Sequence, residues 1–260
     1  MKRRPVTVPL QDFPVLFHPF LANAAIFDSS CSPAARVWFL DKGPGFFLKC
    51  APKGTLEKEA ILTRFFHSKG LAAEVLAYQS LEKDWLLTQR IPGEDCLDFQ
   101  YLSDPLRLCD TTAQLLRQLH DTDPIGCPVH RTADYLATAR RNYENKTYDL
   151  SLFPDNWGYA SPEEAWQVVQ QHGDALQSDI LLHGDYCLPN IILNNWKFSG
   201  FIDLDTGGLG DRHIDLFWGM WSLQFNLKTD RYRERFLDAY GRSDICPELF
   251  PVIAACEVFE

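Results

Sequence analysis

The sequence predicts an α+β fold in two lobes, a small antiparallel β-sheet carrying one helix followed by a larger, mostly helical lobe. Three observations predict it. Residues 24–90 alternate short β-rich runs with a single helical stretch, helical spacing takes over after the turn signal Pro92-Gly93, and the charge balance reverses near the same point. The expected boundaries are 1–90 for a nucleotide-binding lobe and 91–260 for a catalytic and substrate-binding lobe.

The elements follow in order. AAIF, ARVWFL, GFFLKC, VLAYQS and DWLLTQR are rich in β-branched, aromatic and aliphatic residues and read as strands. TLEKEAILTRFFHS is the helix between them, closed by Gly70. Beyond residue 93, Leu108, Leu115, Leu116 and Leu119 line one helical face, with Ser103 as the expected N-cap and Pro105 in the first turn. Further helices are expected near 131–145, 161–172 with a Ser cap, 213–226, 230–240 and 247–259. LLH, NIIL and SGFID read as short strands of one hairpin-like platform. Phe217, Trp218, Trp221 and Phe225 in DLFWGMWSLQFN repeat at a spacing that predicts helix core. Trp157, in PDNWGYA, has few apolar neighbours, and His120 and His213 read as helix-end or cap participants.

With 260 residues and 46% hydrophobic side chains the chain can bury a substantial core. The basic start MKRRPVTVPLQDFPVLF is broken by prolines and Asp12, unlike a secretory signal, and no apolar run approaches a membrane span. Eight cysteines without a C-x-x-C pair read as scattered thiols of a reducing compartment, so a cytoplasmic protein is expected. Lys and Arg outnumber Asp and Glu by 12 to 8 in residues 1–90, whereas 91–260 hold 13 against 27, for a net charge of −10. A basic front can meet phosphates; an acidic back attracts a cation and disfavours nucleic acid or an anionic membrane as partner, a solubilising acidic surface being the simpler alternative.

The chemistry concentrates in HGDYCLPNIILNNWKFSGFIDLDTGG, residues 183–208. Phosphoryl transfer asks a protein to position a hydroxyl in line, hold metal ions across phosphates and accept a proton. H-x-D-x-x-x-x-N supplies Asp185 for the hydroxyl and Asn190 for a cation, and Asp203 follows an apolar run, where it could bridge cations on phosphates. Such oxygen donors suit Mg2+, while His183 braces the loop. A polar turn between strands, using Asp185 and Asn190 as turn formers, is the simpler alternative. Lys49 ends the strand FFLK where it can reach α- and β-phosphates, Glu59 lies on the next helix to orient it, and DSSCSP occupies the place of a phosphate-covering loop without its glycines. Residues 86–91 expose backbone groups where an adenine edge could pair.

HGDYCLPN, SGFIDLDTGGLGDRHIDL and the ending ACEVFE resemble the aminoglycoside 3'-phosphotransferase family, which has a protein-kinase-like fold. The resemblance implies Asp185 as catalytic base or hydroxyl anchor and Asn190 and Asp203 as magnesium ligands. It implies Lys49, paired with Glu59, on the α/β-phosphates, Ser32 at the β-phosphate, and backbone groups of Gln89 and Ile91 at adenine. Asp155, Glu257, Phe259 and Glu260 would line an acidic acceptor site. The implied function is ATP-dependent transfer of the γ-phosphoryl group to an aminoglycoside hydroxyl, the 3'-hydroxyl, conferring resistance, by a monomer or weak dimer with a small polycationic substrate. Gly158, Leu188 and Phe225 stand where family members can carry acids, Thr206 where one carries arginine, Asp205 replaces a glycine, and Glu260 extends past the aligned terminal phenylalanine. These departures touch the acceptor side and leave open a kinase of the same fold acting on an amino alcohol, an amino acid or another antibiotic. A nucleotide-binding module without turnover is disfavoured by the complete set Lys49, Asp185, Asn190 and Asp203; a protein kinase by the missing D-F-G and A-P-E.

Overall fold

The computed structural model describes residues 3–148 and 158–260. Asp155 and Trp157 lie outside the described residues. The chain divides into two compact units, Met1–Asp98 with Pro189–Asp205, and Phe99–Leu188 with Thr206–Glu260. The chain therefore passes through each unit twice.

The first unit is built on a six-stranded antiparallel sheet from β1 (Arg4–Pro5), β2 (Ala25–Asp28), β3 (Arg36–Asp41), β4 (Phe46–Pro52), β5 (Val75–Ser80) and β6 (Lys83–Gln89), in the order β1-β2-β3-β4-β6-β5. Alternation along each strand sends Trp38, Leu48, Cys50, Trp85 and Leu87 to one face, where Phe13, Phe17 and Leu21, the last on the short helix α1 (His18–Leu21), close over them. Trp38 and Trp85 stack at 5.9 Å, with the Phe13 ring edge-on to Trp38 at 5.1 Å. On the opposite face Ala51 and Leu86 meet Ala60 of α2 (Glu57–Ser68) and Leu56, the residue before it. Gly70, at φ +73°, stops that helix, its N–H donating to His67 O while Leu71 N donates to Phe66 O. A second sheet, β7 (Glu94–Asp95), β9 (Ile191–Asn194) and β10 (Lys197–Phe201), has order β10-β9-β7 and turns at Asn195-Trp196, both at positive φ.

The second unit holds α3 (Phe99–Leu102), α4 (Pro105–His120), α5 (Arg131–Asn145), α6 (Pro162–His172), α7 (Arg212–Leu227), α8 (Arg233–Tyr240) and α9 (Leu249–Glu257), with β8 (Ile180–Leu182) paired to β11 (Gly208–Gly210). Its core gathers Tyr135, Ala165, Val169, Ile214, Ile253 and Phe259. Among the described residues no helix is long and apolar enough to cross a membrane.

Three local expectations change. The N-cap of α4 is Asp104, whose carboxylate accepts from Arg107 N at 3.2 Å, because Pro105 opens the helix and leaves the preceding residue as cap; Ser103 Oγ donates to Gln100 O instead. NIIL and SGFID form the hairpin β9–β10, but LLH pairs with Gly208–Gly210 in the other unit. On α7 the interior face is Ile214, Leu216, Met220 and Leu223. Phe217 and Trp218 pack against the core from its flank, whereas Trp221 and Phe225 are 36% and 54% exposed.

The approach to α2 depends on one buried charge. Leu56 offers no side-chain cap, and the carboxylate of Asp84, fully buried on β6, accepts from Gly54 N at 2.9 Å and Leu56 N at 3.0 Å. Asp84→Ala is expected to lower unfolding free energy by about 1–3 kcal/mol, and Asp84→Asn, which keeps an acceptor, by less. Denaturant midpoints that match wild type would refute that dependence.

Candidate active site

Strand alternation brings the first functional group into place. Leu48 and Cys50 enter the aromatic core, so Lys49 between them projects toward the face that α2 covers. There its Nζ donates to Glu59 Oε2 at 2.7 Å, from the first turn of α2, and to Asp203 Oδ1 at 3.0 Å. Asp203 follows β10 by two residues and sits at φ +54°, a left-handed conformation that an aspartate tolerates better than most residues. Ile202 N donates to Asn190 O at 3.1 Å, so the residue preceding Asp203 is held against the backbone of Asn190. Asn190 is buried; the Asp203 side chain is 52% exposed.

The electrostatics of this cluster are unbalanced. Burial pushes the Glu59 carboxyl up, and Asp203 and Asp205 push it further against the attraction of Lys49, to about 7. Burial works to lower the Lys49 ammonium, but Asp203 and Glu59 outweigh it and hold the ammonium above its ordinary value. One cation faces three carboxylates. The surplus of negative charge together with oxygen donors from Asn190 and Asp203 fits a hard divalent cation such as Mg2+, which takes carboxylate and amide oxygens and fills its remaining positions from water and phosphate.

Other expected nucleotide groups also fall on the first unit. Ser32, exposed between β2 and β3, accepts from Ala34 N at 3.1 Å, while Ser30 N bonds Asp28 Oδ1 and Val37 N bonds Ser30 Oγ. Hydroxyls and a carboxylate brace this turn in place of glycines. Gln89 ends β6 with its N–H bonded to Glu74 O at 3.0 Å, and Ile91 is buried two residues on.

Asp185 lies in the second unit, half-buried, on the loop that follows β8. Gly184 before it is at φ +87°, and a Cβ there would come within 1.9 Å of Thr206 O, so no other residue fits without moving backbone. Asp215, fully buried in the first turn of α7, receives His183 N at 2.8 Å and Gly184 N at 2.7 Å. His120 Nε2 meets the same carboxylate at 3.2 Å, and its Nδ1 lies 2.8 Å from Tyr240 Oη, which in turn accepts from Arg212 Nη1. Further along the loop, Leu188 N donates to Ser222 Oγ at 2.9 Å. The backbone of this loop is thus fastened to α7 at two points. Motif spacing does not reveal Asp215 or His120; the one available signal is an aspartate inside the apolar run HIDLFWGMW, which an inward-facing helical position requires to be paired.

At the C-terminus, Glu257 is buried with Oε1 accepting from Tyr135 Oη at 2.7 Å and Trp218 Nε1 at 3.0 Å. Burial first, with Glu260 adding to it, pushes this carboxyl up to about 8 despite both hydrogen bonds and Arg131. Phe259 is fully buried, with Tyr143, Tyr148 and Trp166 arranged edge-on 5.5–6.0 Å away, its carbonyl accepting from Asn142 Nδ2. Glu260 pairs with Arg131 at 3.3 Å. The structure therefore joins Lys49, Glu59, Asn190 and Asp203 in one unit and Asp185, Glu257, Phe259 and Glu260 in the other.

A carboxyl raised on folding contributes stability that is complete below its ordinary value, 4.5, and lost as pH rises to about 8. Glu257→Gln keeps an acceptor oxygen without the charge. Between about pH 5 and about pH 8.5 wild type should therefore lose stability relative to this variant, at no more than about 1.4 kcal/mol per pH unit. Parallel melting curves across that range would contradict a neutral Glu257.

A family model described as the phosphotransferase enzyme family matches residues 31–253. A probable aminoglycoside 3'-phosphotransferase of Lactococcus lactis subsp. lactis is 46% identical over 254 residues, 97% of each chain. An aminoglycoside 3'-phosphotransferase of Niallia circulans is 28% identical over 205 residues, 77% of this chain and 78% of that one. Among solved structures, an aminoglycoside-3'-phosphotransferase of type VIII superposes with a TM-score of 0.75 at 23% identity, covering 91% of this chain and 94% of the other. A Streptomyces rimosus aminoglycoside phosphotransferase solved with ADP and streptomycin gives 0.71 at 21% identity, covering 86% and 90%. The fold is the one these kinases share, and with the family model spanning most of its length, this chain is an enzyme that belongs to the phosphotransferase family.

Proposed function

We propose that this enzyme transfers the γ-phosphoryl group of ATP to a hydroxyl of an aminoglycoside, the 3'-hydroxyl, and so confers resistance from within the cytoplasm. The observation that carries this reading is the Lys49–Glu59–Asp203 cluster, with its surplus negative charge, on a chain whose H-x-D-x-x-x-x-N segment is intact. The relatives named above for that activity, one of them matching nearly the full length, support the acceptor class.

In this reading Lys49 binds the α- and β-phosphates and Glu59 keeps its ammonium aimed, Ser32 lies at the β-phosphate, and the backbone at Gln89 and Ile91 binds adenine. Asn190 and Asp203 would hold Mg2+, which would supply Lewis-acid stabilisation of the negative charge on the transferred phosphoryl group. Asp185 accepts the hydroxyl proton as the acceptor oxygen bonds to phosphorus and the bond from phosphorus to the β–γ bridging oxygen breaks, releasing ADP. His183 and Gly184, gripped by Asp215, keep that carboxylate from drifting, since a displacement of about 1 Å costs roughly 100-fold in rate. Asp155, Glu257, Phe259 and Glu260 serve the acceptor side, Glu257 and Phe259 from the interior, where they fix the turn that presents Glu260. The acidic 91–260 segment steers a polycation toward it.

A second reading, a non-aminoglycoside hydroxyl acceptor, draws on Thr206, Leu188 and Phe225 standing where arginine and acids occur in relatives. Magnesium-dependent ATP consumption over kanamycin-type, neomycin-type and simple amino-alcohol acceptors separates the two; response to amino alcohols alone would replace the first reading. Asp185→Ala is expected to lower kcat by at least about 1,000-fold with ATP affinity within roughly threefold of wild type, because its work is on the acceptor. An equal loss of ATP binding would remove Asp185 from that role.

A further inference from the structure

Asp215 is itself held from outside the loop it grips. Its Oδ2 takes His183 N at 2.8 Å and His120 Nε2 at 3.2 Å, and His120 Nδ1 lies 2.8 Å from Tyr240 Oη. Tyr240, buried at the end of α8, meets the imidazole edge-on with ring centroids 5.5 Å apart. Its Oη accepts from Arg212 Nη1 at 3.2 Å, and the same Nη1 reaches Asp244 Oδ2 at 3.3 Å. Arg117, whose guanidinium lies 5.6 Å from the centre of the Tyr240 ring, donates to that carboxylate oxygen at 2.6 Å. A run of hydrogen bonds therefore leads inward from an exposed carboxylate and ends on the backbone just before Asp185.

The direction of each bond is forced. Asp215 offers acceptors to two backbone N–H groups and to His120, so the ring hydrogen sits on Nε2. Burial holds the imidazole below its ordinary value against the pull of Asp215, and Arg212 of α7 and Arg117 of α4 both oppose a second proton. Nδ1 is then a bare lone pair that requires a donor. Burial pushes the Tyr240 hydroxyl up, so Tyr240 keeps its proton and supplies that donor. Arg212 cannot accept, so it can only donate to Tyr240 Oη. Every member has one role, and a buried network of this kind loses its definition when one member is removed.

We infer that Tyr240 is a positioning residue for phosphoryl transfer: its O–H fixes His120 as a neutral Nε2–H donor to Asp215, and Asp244 at the surface keeps Arg212 aimed at that hydroxyl. The inference rests on the role of Asp185 proposed above and extends its support to α8 and the segment that follows. Without the hydroxyl, Nδ1 is a buried acceptor with no donor, a state the ring relieves by turning or by taking a proton. Either change alters the bond to the oxygen that also holds His183 N, and the play is passed to Asp185 two residues on.

The experiment compares Tyr240→Phe, Asp244→Ala and Asp244→Glu with wild type, using the acceptor that wild type turns over fastest. Tyr240→Phe is expected to lower kcat by about tenfold with KM for ATP within roughly twofold, because the nucleotide groups of the first unit are untouched. Asp244→Ala, at an exposed position, should lose about threefold in kcat, and Asp244→Glu should recover most of it. Nitrogen-15 spectra of histidine-labelled enzyme, with His120 assigned by its loss in His120→Gln, should show one neutral ring with hydrogen on Nε2 in wild type and a protonated or exchanging ring in Tyr240→Phe. If Tyr240→Phe does not fold, the Asp244 pair decides the matter, since neither residue there is buried. A lowered melting temperature in Tyr240→Phe with wild-type kcat and wild-type His120 signals makes Tyr240 a packing residue and overturns the inference while the proposed function stands. Wild-type kcat in Asp244→Ala removes the surface end of the chain and overturns it as stated. Wild type that phosphorylates no acceptor overturns both.

Discussion

The loop that bears Asp185 is held by a carboxylate with no access to water. Asp215 accepts two consecutive backbone N–H groups, from His183 and Gly184, at 2.7–2.8 Å. A charge so buried is tolerable only when its lone pairs are filled, and breaking such a set by removing one partner costs several kcal/mol. The constraint is mutual. Asp215 holds the loop backbone at the two residues before Asp185, and the loop, with His120, supplies the partners that let Asp215 sit inside α7. Gly184 closes the arrangement, since a side chain there would strike Thr206 O.

The first unit solves a different problem, that of keeping opposite charges close without neutralising them. Lys49 is shared by Glu59 and Asp203, and burial, with Asp203 and Asp205 adding negative field against the pull of Lys49, pushes the Glu59 carboxyl up to about 7. Structural ion pairs in isolation tend toward balance; a cluster short of positive charge is suited to receiving a metal and pairing its lysine with phosphate. Asp84, by anchoring the approach to α2, sets where Glu59 enters this cluster.

The C-terminal turn is less acidic in practice than a count of carboxylates implies. Glu257 is raised to about 8 by burial and serves as a hydrogen-bond acceptor for Tyr135 and Trp218, and Phe259 is packed among rings, so both act by shaping the C-terminal turn. In the aminoglycoside reading, attraction for a polycation would then rest on the field of the acidic segment as a whole, with Glu260 already paired with Arg131.

By itself the sequence determined the α+β class, the strand-rich front and helical back, and the longer strands and helices, because these follow from period-2 and period-3.6 spacing within a few residues of chain, whereas the short strands β1, β7 and β11 and the one-turn helices α1 and α3 carry no such signal. It also marked Lys49, Glu59, Asn190 and Asp203, since motif order survives in one dimension. Tertiary structure decided what depends on partners far along the chain. Asp215 meets residues 31 and 32 positions earlier, β8 pairs with a glycine-rich strand that carries no β signal, and Glu257 accepts a hydrogen bond from Tyr135, 122 positions away. The aromatic repeat of α7 shows the limit most simply: spacing declares that Trp218, Trp221 and Phe225 share a side of the helix, and only packing declares whether that side faces the core or the solvent.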